Sequence, residues 1–138
     1  MSECREVAEE VIRKSSLHCM IAGSLRRGEE YSHDVDIVCA DPEMRENESR
    51  ITRFEKNTCS IDLYSANPKH FGAMMLTYTG RPAGSNIGLR VKAAKKGMKL
   101  NQYGLFNKAT GELIASETEE EIFEALDHPW KPPEQRGK

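Results

Sequence analysis

Residues 22–28 read AGSLRRG and residues 33–38 read HDVDIV, and these two stretches decide the fold of the chain. The first is a glycine-bounded loop with a serine and two arginines, which are groups that bind phosphate. In the second, Asp34 and Asp36 are one residue apart in an apolar run, and residues i and i+2 of a strand project to the same face. Two close carboxylates repel each other unless a cation lies between them, and Mg²⁺ or Mn²⁺ suits such oxygen ligands. A phosphate loop beside a divalent-ion site favours nucleotidyl-transfer chemistry.

Asp62 is a third acidic candidate on a different strand. The stretch SIDLY at residues 60–64 places Asp62 between Ile61 and Leu63, so the carboxylate faces away from the apolar layer of its strand.

The charge of the chain is nearly balanced, but its distribution is not. The 138 residues carry a net charge of −2 and are enough for one core, or for two small lobes that share one. Residues 81–108, the basic block, hold Arg and Lys but no acid, whereas residues 112–127, the acidic block, hold Asp and Glu but no Arg or Lys. This arrangement predicts a polarised surface whose basic part can bind phosphates.

The cysteines and the hydropathy pattern bear on the environment of the protein. Cys4, Cys19, Cys39 and Cys59 lack paired metal spacing, and we predict reduced, mostly buried thiols. The N-terminus has no signal-peptide pattern, and no apolar run reaches membrane-spanning length. We therefore expect a soluble, intracellular protein with no membrane partner.

The remaining patterns predict short helices and strands. Strands are predicted at residues 17–22, 34–40, 51–55, 59–65, 100–106 and 112–115. The predicted helices are a first one capped by Ser2, a second from Asn67-Pro68 to about Leu76, a third over residues 86–96 with Ile87, Val91 and Ala94 on one side, and a last one with a capping box of Ser116 and Glu119.

Several motifs resemble those of the polymerase X family, the polymerase-β-like DNA polymerases, and they occur in the same order along the chain. The motifs are GSLRRG at 23–28, DVD at 34–36, IDL at 61–63, YTG at 78–80, LNQYGLF at 100–106 and SETEEEI at 116–122. The resemblance implies an α+β fold with a nucleotidyltransferase palm of mixed or antiparallel sheet and helices at residues 1–76. A small α/β thumb would occupy residues 77–138, and we expect neither a fingers domain nor a lyase domain.

The resemblance also implies roles for individual residues. Asp34, Asp36 and Asp62 would be the catalytic residues and would hold two Mg²⁺ ions, with Mn²⁺ as the alternative ion. The implied nucleotide-binding residues are Gly23, Ser24 and Arg27 for the phosphates, Tyr78 and Gly80 for the sugar, and Asn86 for the base edge. The implied DNA-binding residues are Arg90, Lys92, Lys95 and Lys96. Arg26 either joins the phosphate site or braces the loop from the protein side.

The leading hypothesis is a monomeric, template-directed DNA polymerase that adds dNTPs to a primer 3′-hydroxyl. Its substrates would be dNTPs and gapped or nicked duplex DNA, and its role would be short-gap filling in repair. Two alternatives remain open: a template-independent nucleotidyltransferase, and a non-catalytic module that binds DNA ends. Three metal-binding acids argue against the second alternative, since a binding module does not need them.

Overall fold

A computed structural model of the protein describes residues 3–80 and 85–136. In chain order the elements are α1 (Glu3–Lys14), β1 (His18–Ala22), α2 (Gly23–Arg26), β2 (Asp34–Ala40), β3 (Ser49–Lys56), β4 (Cys59–Ala66), a 3₁₀ turn (Pro68–His70), α3 (Phe71–Thr79), α4 (Ser85–Lys95), β5 (Met98–Asn101), β6 (Gly104–Asn107), β7 (Leu113–Ala115), α5 (Glu119–Ala125) and a 3₁₀ turn (Pro133–Gln135). The predicted cap Ser2 lies outside the described residues. The predicted α+β fold is confirmed.

The first sheet is mixed and has the strand order β1-β2-β4-β3. Strands β2 and β4 are parallel, whereas β1 pairs with β2 and β3 pairs with β4 in the antiparallel direction. Because side chains alternate along a strand, Val35, Ile37 and Ile61 project to one face, where they pack against α1. The opposite face carries the acidic residues of β2 and β4.

Helix α3 covers the far end of that acidic face. Met74 packs with Val38 and Tyr64 of the first sheet, so only the end of the face that bears the carboxylates is left open. The other side of α3, with Ala73 and Leu76, packs into a second core formed by α4, α5 and the antiparallel sheet β5-β6-β7. The division expected at residue 76 falls inside this shared helix and remains a prediction.

Gly72 allows α3 to begin against the backbone that precedes α5. The Gly72 and Ala73 N–H groups donate to the carbonyls of Glu117 and Ser116, and a Cβ on Gly72 would collide with the backbone of Thr118. The helix therefore runs through Gly72 and reaches Thr79, three residues beyond the predicted end at Leu76.

Two predicted elements need local correction. The predicted strand at residues 100–106 is a hairpin of β5 and β6, because Asn101 Oδ1 accepts from the Tyr103 N–H and closes a turn between them. The capping box of α5 uses Thr118 and Glu121 instead of Ser116 and Glu119.

The buried side of α4 also differs from the predicted one. Ile87 and Val91 are exposed, and Leu89 and Ala93 enter the second core. Both the predicted set and the buried pair have helical spacing, so the periodicity alone does not distinguish between them.

The prediction of reduced cysteines is wrong for this structure, which contains two disulfides. Cys4 of α1 pairs with Cys59 of β4 across a Cα–Cα distance of 5.8 Å, and Cys19 pairs with Cys39 between the adjacent strands β1 and β2. Their sequence separations of 55 and 20 residues carry no local signal, so only the tertiary arrangement brings the partners together.

Within the described part of the chain, no helix combines the length and apolarity needed to cross a membrane.

Candidate active site

The three acids predicted to be catalytic meet at the open end of the first sheet. Asp36 of β2 is in direct register with Asp62 of β4, and Asp34 lies two residues earlier on the same face of β2. Parallel pairing of two strands that each carry an acid therefore places the carboxylates side by side. In residues 3–80 and 85–136, no three His, Cys, Asp or Glu side chains, these acids included, stand in an arrangement that would hold a metal ion as it is.

The carboxyl group of Asp36 has a raised pKa. Burial, and then repulsion by the Asp62 carboxylate, raise its pKa to about 6, and a hydrogen bond from Tyr64 partly opposes this rise. A divalent cation would relieve the same repulsion, and the hard oxygen donors fit Mg²⁺ or Mn²⁺. The residues present therefore fit the metal ions that the resemblance implies.

The predicted phosphate loop begins with the single turn of helix α2. Gly23 has a φ of 63° and lies directly against the Asp36 carboxylate, so a Cβ at this position would collide with Asp36 Oδ2. Ser24 Oγ donates to Ser32 Oγ at 2.7 Å, and Ser32 Oγ accepts from the Asp34 N–H at 3.2 Å. The loop is therefore held against β2 through Ser32, a contact that sequence reasoning missed.

Both arginines of the loop have partners within the protein. Arg27 donates to the Thr79 carbonyl at 2.9 Å and to the exposed carboxylate of Glu29 at 2.7 Å. Arg26 contacts Thr79 Oγ1 at 2.8 Å and forms a two-point ion pair with the buried Glu119 of α5. Arg26 therefore braces the loop from the protein side, which decides between the two roles left open for it.

An open cavity of about 340 Å³ brings the phosphate loop, Asp34, Asp36 and the end of α3 together, whereas Asp62 is not part of its lining. It is lined by Gly23, Ser24, Arg27, Asp34, Asp36, Thr77, Tyr78 and Gly80. Of the residues expected to bind the nucleotide, only Asn86 is absent from this lining.

Asn86 instead lines a neighbouring cavity of about 210 Å³ with Arg90 and Gln102. It is 6% exposed, and its Nδ2 donates to the carbonyls of Thr77 at 3.0 Å and Gly80 at 3.2 Å. Its Oδ1 is buried and has no hydrogen-bond partner within the described residues. Thr77 lines both cavities, so the two adjoin at the end of α3.

Two of the expected DNA-binding lysines contact the acidic block. Lys92 Nζ donates to the Asp127 carbonyl at 3.0 Å, and Lys96 Nζ pairs with the Asp127 carboxylate at 2.9 Å, which lowers the pKa of Asp127. Arg90 and Lys95 are exposed. The basic and acidic blocks thus meet at the C-terminal end of α5, which reduces the predicted polarisation of the surface.

Two further side chains contact the acids predicted to be catalytic. Tyr64 Oη lies 3.4 Å from both Asp36 Oδ1 and Asp62 Oδ2, and the exposed Arg53 has its Nε 3.4 Å from Asp62 Oδ1. Sequence reasoning missed Arg53. The contact could have been predicted from the β3–β4 hairpin, because its tight turn pairs Arg53 directly with Asp62.

The first sheet carries carboxylates beside a phosphate loop, and one helix joins it to a small α/β unit. This arrangement defines a polymerase-β-like fold of palm and thumb. Residues 75–137 match the family model of the DNA polymerase beta thumb. Repair DNA polymerase X of African swine fever virus is 29% identical over 150 aligned positions, both in isolate Tick/South Africa/Pretoriuskop Pr4/1996 and in isolate Pig/Kenya/KEN-50/1950. Each alignment covers 92% of this chain and 86% of the viral protein. DNA polymerase IV of Saccharomyces cerevisiae is 36% identical over 77 positions, which cover 56% of this chain and 13% of the yeast protein. The chain is therefore similar to polymerases of the X family over most of its length.

Proposed function

We propose that the protein is a template-directed DNA polymerase that adds dNTPs to a primer 3′-hydroxyl and fills short gaps during DNA repair. The observation that carries this proposal is the in-register pairing of Asp36 with Asp62 beside the 340 Å³ cavity of the phosphate loop. The name of the viral relative, a repair DNA polymerase, supports DNA as the substrate and repair as the setting.

Asp34, Asp36 and Asp62 would hold two Mg²⁺ ions, with Mn²⁺ as the alternative. When bound, such ions polarise the α-phosphate, lower the pKa of the attacking hydroxyl and stabilise charge on the leaving oxygens. The role of the protein is to hold the carboxylates in register on adjacent strands, so that little reorganisation is needed during the reaction.

The triphosphate would occupy the cavity at the phosphate loop. Gly23 leaves room there, Ser24 supplies a hydroxyl, and Arg27 supplies a guanidinium that can exchange the exposed Glu29 carboxylate for phosphate oxygens. Tyr78 and Gly80 would contact the sugar from the opposite wall. Asn86 would contact the base edge from the adjoining cavity.

The duplex would lie along α4 and across the cluster of acids. Arg90 and Lys95 are exposed on α4 and would contact phosphates there. Lys92 and Lys96 would have to leave Asp127 before they bind DNA. Such contacts position the duplex without reading its sequence. We propose that the protein works as a monomer on gapped or nicked duplex, with residues 1–76 as palm and 77–138 as thumb.

A single-nucleotide extension assay tests this function. The substrate is a duplex with a one-nucleotide gap, with Mg²⁺ and each dNTP in turn, and the variants are Asp62→Ala and, as a matched control, the exposed Glu112→Ala. We expect insertion of the complementary nucleotide alone, unchanged in the control and reduced by about a thousandfold in Asp62→Ala, which corresponds to several kcal/mol of transition-state stabilisation.

Two results of the same assay would overturn the proposal. Extension of a single-stranded primer as fast as the gapped duplex would identify a template-independent nucleotidyltransferase. Binding of the gapped duplex without extension, in Mg²⁺ and in Mn²⁺, would identify a DNA-end-binding module.

A further inference from the structure

Tyr64 is a buried aromatic residue placed between two of the proposed metal ligands. It follows Asp62 by two positions on β4, so its side chain projects to the same face as the carboxylates. It is 7% exposed, and its hydroxyl lies 3.4 Å from one oxygen of Asp36 and 3.4 Å from one oxygen of Asp62. A single phenol therefore bridges two strands that each contribute a ligand.

The ring of Tyr64 has a second contact, on the nucleotide side of the site. It stacks on the ring of Tyr78 with a centroid distance of 3.8 Å and an interplanar angle of 15°. Tyr78 belongs to α3 and lines the cavity of the phosphate loop. One side chain thus links the carboxylates to the wall where the proposed function places the nucleotide sugar.

We propose that Tyr64 is a positioning residue of the active site, whose hydroxyl orients Asp36 and Asp62 for the cation and whose ring holds Tyr78 in place. This inference rests on the proposed function, because it assigns the acids to metal binding and Tyr78 to the nucleotide.

The hydroxyl suits this role because it is a neutral donor between two anions. It has one proton, so it donates to one carboxylate at a time and leaves the other oxygens of Asp36 and Asp62 available to a cation. Unlike an arginine at this point, it brings no positive charge that would compete with the metal. The cationic group on the other side of Asp62, Arg53, is exposed and reaches Asp62 Oδ1 instead of the oxygen that faces Tyr64.

The substitution Tyr64→Phe separates the hydroxyl from the ring. Loss of a hydrogen bond to a metal ligand commonly costs ten- to a hundredfold in metal affinity. We therefore expect about tenfold weaker Mn²⁺ binding by the free protein, measured from the electron paramagnetic resonance signal of unbound Mn²⁺. In gap filling, kcat should fall while the KM for dNTP stays the same, because the ring stack with Tyr78 is kept.

Two further variants make the test specific. Tyr64→Leu removes the stack as well as the hydroxyl, so it should also raise the KM for dNTP. Tyr103→Phe is the matched control, since its hydroxyl contacts Ser49 Oγ at 3.2 Å and none of the proposed metal ligands. It should leave Mn²⁺ affinity unchanged. Thermal unfolding of all variants separates these effects from a general loss of structure.

The outcomes distinguish the inference from the function on which it rests. Mn²⁺ binding by Tyr64→Phe that is within twofold of the parent protein, or tighter, overturns the role of Tyr64. Asp36→Ala serves as the reference, because it should abolish Mn²⁺ binding at this site. If Asp36→Ala binds Mn²⁺ like the parent protein, the proposed metal site itself is wrong.

Discussion

The Asp36 carboxylate lowers the stability of the metal-free folded protein at neutral pH, because it is partly buried beside a second carboxylate. Its pKa of about 6 in the folded protein exceeds the ordinary value of 3.8, because burial and the Asp62 carboxylate disfavour the charged form. A carboxyl group with a raised pKa binds its proton more tightly in the folded state than in the unfolded state. Its contribution to stability is therefore complete below pH 3.8 and is lost as the pH rises through 6.

The substitution Asp36→Asn should accordingly stabilise the metal-free protein at neutral pH. We expect the free energy of unfolding at pH 8 to rise by about 1–2 kcal/mol, a figure that allows for screening of a partly exposed group. The gain should shrink between pH 6 and pH 4, where Asp36 of the parent protein becomes protonated. Urea unfolding between pH 4 and pH 8 in a chelating buffer measures this difference.

The exposed Glu43 provides the comparison, since Glu43→Gln should shift stability little at any pH in this range. Added Mg²⁺ should raise the unfolding midpoint of the parent protein more than that of Asp36→Asn. A variant less stable than its parent at pH 8 would contradict the electrostatic account of this residue.

Each strand that carries one of the proposed catalytic acids is also cross-linked by a disulfide. Cys39 joins β2 to β1, and Cys59 joins β4 to α1. The crosslinks lie on the opposite face from the carboxylates, in the core beneath α1. They restrict the unfolded chain and leave the open face of the sheet unobstructed.

Reduction of these disulfides should lower the free energy of unfolding, and the disulfide that closes the longer loop should contribute more. Loop-closure entropy predicts about 4 kcal/mol for the separation of 55 residues and about 3 kcal/mol for that of 20. The paired substitution Cys4→Ser with Cys59→Ser should therefore cost more than Cys19→Ser with Cys39→Ser. Urea unfolding with and without a reductant measures both losses.

The reductant itself supplies a control. It should destabilise each paired variant only by the contribution of the disulfide that remains, and it should not affect a protein that lacks all four cysteines. Equal stability of the parent protein under oxidising and reducing conditions would show that the crosslinks contribute nothing.

At the scale of the whole molecule, a buried cluster of ions ties the phosphate loop to the C-terminal part of the chain. Glu119 accepts from Arg26 of α2 and from Arg136, which is fully buried. Arg136 also lies over the rings of Phe123 and Trp130, at 5.4 Å and 4.9 Å from their centroids. One carboxylate therefore neutralises two cations from distant parts of the sequence.

The substitution Glu119→Gln should destabilise the fold strongly. Removal of the shared carboxylate takes the ion-pair partner from the buried Arg136 and the partly buried Arg26, and breaking a buried ion pair costs about 3–5 kcal/mol. Urea unfolding checks this value, with the exposed neighbour Glu120→Gln as the matched control that should change stability by less than about 0.5 kcal/mol. Similar losses for the two variants would refute the role assigned to the cluster.

A second link between the two sheets runs through His70. This buried side chain accepts from the Asn47 N–H at Nε2 and donates from Nδ1 to the Tyr103 carbonyl at 2.7 Å, so it bridges the loop before β3 and the β5–β6 turn. Together with α3 and the Glu119 cluster, His70 therefore links the two sheets.

Local sequence patterns predict most of the helices and strands, and they predict the strand face on which each of the three acids lies. Period-two alternation in HDVDIV and SIDLY places Asp34, Asp36 and Asp62 on the polar faces of their strands, and the Asn67-Pro68 pair starts the α3 region as predicted. These features follow from local backbone geometry, which neighbouring residues control. The order of the motifs likewise indicated the resemblance to the polymerase X family.

Contacts between residues that are distant in the sequence are fixed by the tertiary fold alone. It paired the cysteines, placed Lys96 on Asp127, engaged Arg26 with Glu119 and chose which side of α4 is buried. Each of these outcomes depends on contacts between residues that are far apart in the chain, where no sequence period constrains the partner. For the buried contacts, the partner is selected by the packing of the whole core, because burial of a charge or a thiol is favourable only when its partner is already in place.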